Sequence, residues 1–292
     1  MAGHVTTRAK VVKVRQGTAR RTRDTLAGEE PLEIRVNAEP VTVTMRTPGD
    51  DFALALGFCL SEGIIGDASD VAEIRSCADR EEVGQPTFNV VDVVRRDPTP
   101  VRAELRRNVT TSSACGVCGA TSIDTVRRRA LPVASDPTRT SVDVLAGLPG
   151  RLRDAQEVFQ LTGGLHAAAL FSADGELIAA REDVGRHNAL DKLVGWAATE
   201  GRRPAAGTVL LVSGRVAFEI VQKALVLGTP VLAAVSAPSS LAVDLSDETG
   251  LTLVGFLRGP DMNVYSAAWR LDGPDGEPLA LPPQAATIAS SS

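Results

Sequence analysis

The chain has 292 residues, of which 43% are hydrophobic and 23% charged, the balance of a soluble globular protein long enough for two domains. No apolar run approaches the roughly 18 residues of a membrane-spanning helix, which argues against a membrane protein. Residues 1–23 hold seven basic residues and no acidic one, and the remainder holds 24 basic against 36 acidic residues. A mildly acidic body argues against a dedicated nucleic-acid binder.

The N-terminal segment, residues 1–30, is expected to form a flexible basic tail. Its first residues carry charges but lack the apolar stretch of about 7–15 residues that a signal peptide requires. This composition favours a cytoplasmic protein. The four cysteines of the chain are too few for a disulfide scaffold, and in a reducing cytosol a close cysteine pair points to redox, metal or catalytic chemistry.

A hairpin and a helix are predicted after the tail. Residues 31–36 and 41–46 alternate apolar and polar side chains on either side of a turn, which predicts two antiparallel strands. Thr47 and Pro48 then resemble the N-cap and the first position of a helix. The apolar spacing of that helix puts Cys59 on its buried face, where it is interpreted as a core thiol.

These elements and a strand predicted at 88–94 define an N-terminal α+β domain over residues 31–107. Residues 108–122 are small, polar and glycine-bearing, without helical or strand periodicity, which predicts a mobile loop. We assign this loop and a connector to residues 108–150. A helical stretch that is interrupted by a proline, residues 141–160, leads into the second half of the chain.

The second half, residues 151–272, predicts strands and helices in the order β-β-α-β-α-β-α-β. The strands are nearly continuous apolar runs, such as TVLLVS at 208–213 and LTLVGFL at 251–257. Such runs are typical of strands buried on both faces, which indicates an α/β domain with a mixed, largely parallel sheet and helices on both sides. Residues 273–292 are expected to form a loose tail.

The sharpest chemical signal is the pair Cys115 and Cys118 in the segment NVTTSSACGVCGATS. A structural zinc site would need four ligands, and the other two cysteines, Cys59 and Cys77, are isolated in the sequence. A thioredoxin-like redox site places its cysteines at the start of a helix after a strand, whereas this pair lies in a predicted loop. The third interpretation is a nucleophilic or sulfur-carrying thiol.

Basic residues flank the cysteine pair on both sides, and no carboxylate occurs between Glu104 and Asp124. Nearby cations favour the thiolate, which is the reactive form of cysteine. The alternative is that the arginines form a solvated surface and that the pair has no special role in the loop. The flanking basic residues are Arg102, Arg106, Arg107, Arg127, Arg128 and Arg129.

Segments that follow the predicted strands are candidates for ligand binding, because ligands of open α/β sheets bind at the carboxyl ends of the strands. Three of four such segments place an arginine beside a glycine, which suits a phosphorylated ligand such as a nucleotide, although ordinary turn chemistry explains the same pattern. His166, Asp183 and His187 are either acid–base or ligand candidates or local hydrogen-bonding residues. The four segments are 181–188, 213–215, 236–240 and 256–263.

The sequence resembles a known family, the formate dehydrogenase accessory sulfurtransferases. The resemblance runs in the same order from about residue 31 to residue 265, which is far more than one short motif. The matching stretches are PLEIRVN, VTMRTPGDDFALALGFCLSEGII, SSACGVCG, TGGLHAAALF, REDVGRHNALDKLVGW, LLVSGRVAFEIVQKA, PVLAAVSAPSSLAVDL and LTLVGFLRG.

The resemblance implies a sulfurtransferase that accepts persulfide sulfur from a cysteine desulfurase. It implies that this sulfur passes to the molybdenum cofactor, as bis(molybdopterin guanine dinucleotide), before the cofactor enters formate dehydrogenase. Cys115 matches the persulfide carrier of the family, and Cys118 matches the second catalytic cysteine. The resemblance implies cofactor contacts at the end of the last predicted strand, residues 256–261. Residues 213–215, at the end of the strand predicted at 208–213, are a second candidate segment. The cofactor-binding candidates are Phe256, Leu257, Arg258, Gly259, Pro260, Asp261, Ser213, Gly214 and Arg215.

The larger domain of the family is similar to the cytidine deaminase fold. The resemblance therefore implies a cytidine-deaminase-like, three-layer domain with a mixed sheet, preceded by the smaller α+β domain. Deaminases hold zinc with a His-x-Glu sequence at the start of one helix and a Cys-x-x-Cys sequence at the start of the next. Residues 187–189 read HNA and residues 215–218 read RVAF at these positions. Neither bound zinc nor deamination is therefore expected.

Two other classes of function remain open at this point. One is a non-catalytic chaperone that binds the cofactor and docks it into formate dehydrogenase, with the cysteines serving only docking. The other is a zinc hydrolase on the deaminase fold, against which the missing zinc ligands at these positions argue. A cofactor with two guanine arms makes a two-fold homodimer the expected assembly, and no nucleic-acid or membrane partner is expected.

Overall fold

The computed structural model describes residues 4–80, 86–100 and 133–280. Within these ranges the strands are β1 (Thr6–Arg15), β2 (Thr18–Ala27), β3 (Glu30–Val36), β4 (Glu39–Arg46), β5 (Val71–Arg80), β6 (Pro86–Arg95), β7 (Thr140–Ser141), β8 (His166–Ser172), β9 (Leu177–Asp183), β10 (Thr208–Val212), β11 (Val231–Ala234), β12 (Thr252–Arg258), β13 (Asp261–Ser266) and β14 (Leu271–Asp272). The α-helices are α1 (Asp51–Ser61), α2 (Val142–Ala155), α3 (Glu157–Thr162), α4 (Arg186–Thr199), α5 (Phe218–Leu227) and α6 (Ser240–Thr249).

Strands β1 and β2 pair along their whole length as an antiparallel hairpin. The expectation of a flexible tail over residues 1–30 is therefore corrected, because most of this segment is regular β structure. Gln16 and Gly17 between the strands have φ values of 48° and 79°, as the two-residue turn of a twisted hairpin requires. The side chains of both strands are mostly exposed, so the hairpin has no apolar face that the sequence pattern could reveal.

A four-stranded sheet with the strand order β4-β3-β6-β5 forms the N-terminal layer. Strand β3 pairs antiparallel with β4 and parallel with β6, and β5 pairs antiparallel with β6. The hairpin predicted at 31–46 and the strand predicted at 88–94 are confirmed. The buried side chains of β3 alternate as Leu32, Ile34 and Val36, which turns one face of the sheet toward helix α1.

Helix α1 begins at Asp51, so the predicted N-cap at Thr47 is wrong. Asp50 occupies the N-cap position with φ 56°, in the left-handed region. The Thr47 hydroxyl, which would have capped the helix, instead accepts a hydrogen bond from the Val184 N–H at 3.1 Å. A long-range hydrogen bond to the residue after β9 therefore takes the place of the predicted N-cap hydrogen bond.

The second sheet has six strands in the order β13-β12-β11-β10-β8-β9. The predicted β-β-α-β-α-β-α-β order is confirmed by strands β8 to β12 and helices α4 to α6, and β13 is an addition at the edge. The sheet is mixed, but the prediction that it is largely parallel is wrong. Only the β10–β11 and β11–β12 pairs are parallel, whereas β8–β9, β8–β10 and β12–β13 are antiparallel.

Helices cover both faces of the six-stranded sheet and give three layers. Helix α2 packs on one face through Leu145, Leu148 and Leu152. Helices α4, α5 and α6 pack on the other face, and α1 joins the same core, which continues into the four-stranded sheet. Alternate residues of each strand enter the two cores, as the two-residue period of a strand requires. The helical stretch predicted at 141–160 is present, but its break falls at Gln156 between α2 and α3, while Pro149 lies inside α2.

Helices α1 and α4 cross at two glycines. A Cβ atom on Gly57 would lie 1.9 Å from the carbonyl oxygen of Asp191, and one on Gly195 would lie 1.9 Å from that of Ala53. Any side chain at either glycine would therefore separate the two helices. This close crossing joins the four-stranded sheet to the helical layer of the six-stranded sheet.

The first part of the predicted C-terminal tail, residues 273–280, turns back onto the body, with the Leu279 N–H donating to the carbonyl oxygen of Leu271 at 2.9 Å. The rest of that tail lies outside the described residues. Strands β14 and β7 form a short parallel pair beside it. No helix in the described part of the chain is long and apolar enough to span a membrane.

Candidate functional site at the sheet edge

The catalytic candidates Cys115 and Cys118 lie outside the described residues, so their roles stay predictions. The two other cysteines are described. Cys59 on α1 is fully buried, and burial raises the pKa of its thiol, which agrees with the predicted core position. Cys77 lies half-buried on strand β5.

Ser213 is fixed where strand β10 ends beside the start of β8. Its backbone N–H donates to the carbonyl oxygen of Ala167 at 3.0 Å, and its hydroxyl oxygen accepts from the Ala167 N–H at 2.9 Å. The next residue, Gly214, is buried, and Arg215 after it is exposed. This loop therefore presents the Arg215 guanidinium to solvent at the carboxyl end of β10.

The two groups of cofactor-binding candidates lie along the same sheet edge. Val216 donates its N–H to the carbonyl oxygen of Ala237 at 3.1 Å and accepts at its own carbonyl oxygen from Ser239 at 2.9 Å. Ala237 and Ser239 belong to the loop after β11, which lies between the two candidate segments. The Phe256 N–H contacts the same loop and donates to the carbonyl oxygen of Ser236 at 3.1 Å. Because the carboxyl ends of β10, β11 and β12 share one edge, these hydrogen bonds join the 213–215 segment to the 256–261 segment.

Strand β12 is irregular at this edge. Phe256 has φ 53°, a left-handed conformation for a residue other than glycine, and its side chain is 38% exposed. Gly255 before it packs so closely that a Cβ atom would lie 2.9 Å from Pro238 Cδ. The irregularity turns the Phe256 side chain outward. A positive φ value in a residue other than glycine strains the backbone, and such strained residues cluster at functional sites.

The remaining candidates of the 256–261 segment divide between core and solvent. Leu257 is fully buried in the core beneath α2, so its side chain is not accessible to a ligand. Arg258 and Asp261 are exposed and face each other across the turn from β12 to β13. Gly259 and Pro260 form the exposed tip of that turn.

Basic side chains surround Gly214. A Cβ atom on Gly214 would lie 3.4 Å from both His166 Nδ1 and Arg186 Cδ, so the loop touches the start of β8 and the start of α4. Burial, aided by the nearby Arg186 guanidinium and the His187 side chain, lowers the pKa of His166. Burial also lowers the pKa of Arg186, and Arg215 adds to this effect as a like charge. This clustering of cations favours an anionic ligand beside Gly214.

The helices α4 and α5 start side by side at this edge, where His187 Nε2 lies 3.0 Å from Glu219 Oε2. Within the described ranges, no group of three or more histidine, cysteine, aspartate or glutamate side chains could hold a metal ion. The expected likeness to the cytidine deaminase fold, and the expected absence of zinc, stay predictions.

Comparison with known proteins identifies the family. The model of the FdhD/NarQ family matches residues 27–272. The chain belongs to the FdhD/NarQ family. A relative from Nocardia farcinica, named sulfur carrier protein FdhD, is 57% identical over 272 residues, which cover 93% of this chain and 96% of the relative. A relative of the same name from Streptomyces avermitilis is 58% identical over 273 residues, which cover 92% of this chain and 96% of the relative.

A solved structure has the same fold. The crystal structure of a formate dehydrogenase accessory protein from Desulfotalea psychrophila matches with a TM-score of 0.71 and 23% sequence identity. The match covers 92% of this chain and all of the other. The fold of this FdhD/NarQ chain is therefore shared with a protein whose sequence has diverged widely.

Asp183 of this FdhD/NarQ protein is buried and held by several hydrogen-bond donors. Its buried carboxylate accepts from Lys192 Nζ at 2.8 Å and from the N–H groups of Gly185 and Thr47 at 2.8 and 3.1 Å. Burial raises the pKa of Asp183, and the Lys192 ammonium and the Gly185 N–H act in the opposite direction. The local hydrogen-bonding interpretation of this residue therefore agrees with the structure.

A cleft beside the sheet edge includes one residue that the sequence did not single out. It has a volume of about 470 Å³ and lies between the junction of α2 with α3 and the strand ends, with His166 and Ser213 in its wall. Gln156 at the junction also lines it. A glutamine inside a helical stretch carries no sequence signal for binding, because only the break between the helices turns it toward the sheet edge.

Proposed function

We propose that this chain is a sulfur carrier for the maturation of formate dehydrogenase. In this proposal, Cys115 accepts persulfide sulfur from a cysteine desulfurase and passes it to the molybdenum cofactor, as bis(molybdopterin guanine dinucleotide), before the cofactor enters the dehydrogenase. The observation that carries the proposal is the match over more than nine-tenths of the chain to curated relatives named as sulfur carriers. The cysteine pair at 115 and 118 supplies the chemistry that this name requires.

The loading step is a thiol–disulfide type of exchange. The Cys115 thiolate attacks the outer sulfur of the desulfurase persulfide, the sulfur–sulfur bond of that persulfide breaks, and the desulfurase cysteine leaves as a thiolate. Cys115 then carries the transferred sulfur as a persulfide. The flanking arginines of the sequence favour the thiolate form that begins this step.

The release step can use Cys118. If the Cys118 thiolate attacks Cys115 Sγ, a disulfide forms between the two cysteines and the outer sulfur leaves as hydrosulfide. The two cysteines then supply both electrons that reduce the carried sulfur to sulfide. The alternative is a relay, in which Cys118 takes over the outer sulfur as its own persulfide.

The cofactor is the cargo of this protein, and its pyrophosphate groups are anions. The donor set at the sheet edge fits such a cargo, because Arg186 lies beside Gly214 while Arg215 and Arg258 are exposed along the same edge. Exposed Phe256 adds an aromatic surface there. In the proposal these residues bind and orient the anionic cargo. The desulfurase partner, the homodimer and the cytoplasmic location stay predictions.

Mass spectrometry of the tryptic peptide from Asn108 to Arg127 tests the proposal. The protein is incubated anaerobically with a cysteine desulfurase and cysteine, alkylated and digested. We expect one additional sulfur on Cys115 and none in Cys115→Ala. Cys77→Ala is the matched control and should be loaded normally, because Cys77 lies on strand β5, away from the cysteine pair in sequence.

Activity of formate dehydrogenase in cells gives the second readout. Cys115→Ala should abolish maturation of the enzyme, while binding of the guanine dinucleotide cofactor survives. Full maturation with Cys115→Ala and Cys118→Ala combined would contradict sulfur transfer. That result would favour the chaperone, which holds and docks the cofactor without carrying sulfur.

A further inference from the structure

One face of the β1–β2 hairpin carries only positive charge. Alternate residues of a strand share a face, and residues that pair directly across two strands share it as well. By the register of the hairpin, Lys10 lies opposite Arg23 and Val12 lies opposite Arg21. We call this side of the hairpin the basic face. Its charged residues are Arg8, Lys10, Arg21 and Arg23.

The opposite face of the hairpin is partly balanced in charge, because Lys13 Nζ lies 3.2 Å from Asp24 Oδ1. The basic face has no acidic residue of its own. Lys10 and Arg23 are like charges at directly paired positions, an arrangement that destabilises a pair of strands. Carboxylates supplied by another molecule would relieve this repulsion.

The basic face also exposes apolar side chains near the turn. Val12 and Val14 are 60% and 65% exposed. The other end of the hairpin is closely packed at Gly28, where a Cβ atom would lie 1.9 Å from the His4 carbonyl oxygen. Residues 12–23, in contrast, are all exposed in the described structure. Because a two-stranded hairpin alone is marginally stable in water, this half of the hairpin suits contact with another molecule.

Helix α6 has the complementary pattern. Its sequence SLAVDLSDET contains three acidic residues and no basic one. Asp244 lies one turn after Leu241, and Asp247 lies one turn after Asp244, which places the three along one side of the helix. All three side chains are exposed. We call this side of α6 the acidic face.

The two faces agree in order and nearly in length. The basic face runs from Val14 to Lys10 over about 13 Å, at about 3.3 Å per strand residue. The acidic face runs from Leu241 to Asp247 over about 9 Å, at about 1.5 Å per helical residue. On both faces the apolar side chain lies at one end and the charged side chains follow. Valine would therefore meet leucine where arginine meets carboxylate.

The charge of the chain favours a second copy as the partner. Both faces are exposed in the single chain, so they do not cover each other within it. Residues 24–292 hold 24 basic against 36 acidic residues, so a second copy brings an acidic body to the basic face. Single-stranded nucleic acid would be stacked on aromatic side chains, and residues 6–27 contain none. The acidic body also repels a polyanion.

We propose that the basic face of the hairpin docks on the acidic face of α6 in a second copy of this chain. In a two-fold dimer the contact occurs twice, since the hairpin of each copy meets α6 of the other. Arginine guanidinium groups of the basic face pair with the Asp244 and Asp247 carboxylates. Val12 and Val14 cover Leu241. The contact does not depend on the proposed cargo, so the protein alone forms this dimer.

Sedimentation equilibrium of the full chain, without ligand, tests the contact. We expect a dimer whose dissociation constant rises about tenfold or more from low to high salt, because salt screens exposed charges. Arg21→Glu with Arg23→Glu should weaken the dimer about 100-fold, because like charges then face each other. Arg15→Glu with Arg20→Glu is the matched control. It makes the same change of charge on the opposite face and should weaken the dimer far less.

A mixing experiment tests whether the two faces meet between copies. Asp244→Arg with Asp247→Arg reverses the acidic face and should also give monomers. An equimolar mixture of this variant with the Arg21→Glu, Arg23→Glu variant should dimerise again, because each reversed face then meets its complement in the other chain. All four positions are exposed, so the variants should fold as the wild type does, and circular dichroism checks this.

Three results would overturn the proposed contact: a wild-type protein that stays monomeric, equal weakening by the two pairs of hairpin substitutions, or a mixture of the two reversed variants that stays monomeric. A monomeric wild type that bound a single-stranded oligonucleotide through the basic face would assign that face to a polyanion instead. Loading of Cys115 is measured separately, so the sulfur transfer and the dimer contact can fail independently.

Discussion

Two buried charges connect helices α4 and α5. Lys223 Nζ lies 2.7 and 2.9 Å from the two carboxylate oxygens of Asp191, and the Ser61 hydroxyl donates to the same carboxylate at 2.7 Å. Both charged side chains are nearly inaccessible to solvent. A pair of this kind is costly to break, because the remaining partner stays charged and buried.

Lys223→Ala should therefore lower the free energy of unfolding by about 3–5 kcal/mol, measured by urea denaturation. Replacing both partners, Asp191→Leu with Lys223→Leu, should recover most of this loss, since no buried charge remains. The exposed Lys13–Asp24 pair offers the control, and Lys13→Ala should cost less than about 1 kcal/mol. Equal losses for Lys223→Ala and the double variant would contradict this account.

His166 makes stability depend on pH in a defined direction. Burial lowers its pKa in the folded state, whereas the unfolded chain keeps an ordinary histidine pKa of about 6.5. Below that pH the unfolded state binds more protons than the folded state, so stability falls as the pH falls. The free energy of unfolding should therefore decrease more between pH 7 and pH 5 in the wild type than in His166→Gln. Urea denaturation at each pH measures this free energy, and the same pH dependence in the wild type and in His166→Gln would refute the assignment.

At the scale of elements, the α1–α4 crossing depends on glycine. Gly57→Ala would push a methyl group into the Asp191 carbonyl and should lower the free energy of unfolding by about 2 kcal/mol or more. Gly147 in α2 is the matched position, because a Cβ atom there meets no neighbouring atom within 4 Å. Gly147→Ala should be neutral or stabilise the helix by up to about 1 kcal/mol. Urea denaturation of both variants decides, and similar effects at the two glycines would contradict the role of the crossing.

The elements that the sequence predicts are those that bury an apolar face. Strands β3 and β10 and the helix that ends at Gly228 follow from local periodicity and a left-handed cap. The β1–β2 hairpin is not predicted from the sequence, because the side chains on both of its faces are mostly exposed and its turn, Gln16-Gly17, is not one of the preferred Asn-Gly or Asp-Gly pairs. Thr47 misleads because its hydroxyl contacts Val184, which is 137 residues away in the sequence.

At the scale of the molecule, topology alone predicts much of the candidate site. The segments after β10, β11 and β12 must share one edge, so 213–215 and 256–261 could be placed near each other from the strand order. Side-chain directions could not be predicted in this way. Leu257 points into the core, and Gln156 reaches the same region from a different layer. Both results depend on packing between elements, which periodicity along the chain does not encode.

The two sheets share one core, and this predicts how the protein unfolds. Leu32 and Ile34 of the four-stranded sheet belong to the same buried cluster as Leu210 of the six-stranded sheet, with α1 and α4 between them. Breaking either sheet would expose the side chains that support the other. The β1–β2 hairpin, in contrast, contributes no described side chain to either buried cluster.

Native-state hydrogen exchange, followed by mass spectrometry at increasing urea concentration, tests this coupling. Amides of β3 and β10 should exchange with the same free energy of opening, equal to that of global unfolding. Amides of β1 and β2 should exchange with a free energy several kcal/mol lower, since the hairpin can open while the core stays closed. If β3 exchanged well below β10, the boundary predicted at residue 107 would separate two independently unfolding domains, and the shared core would not couple the sheets.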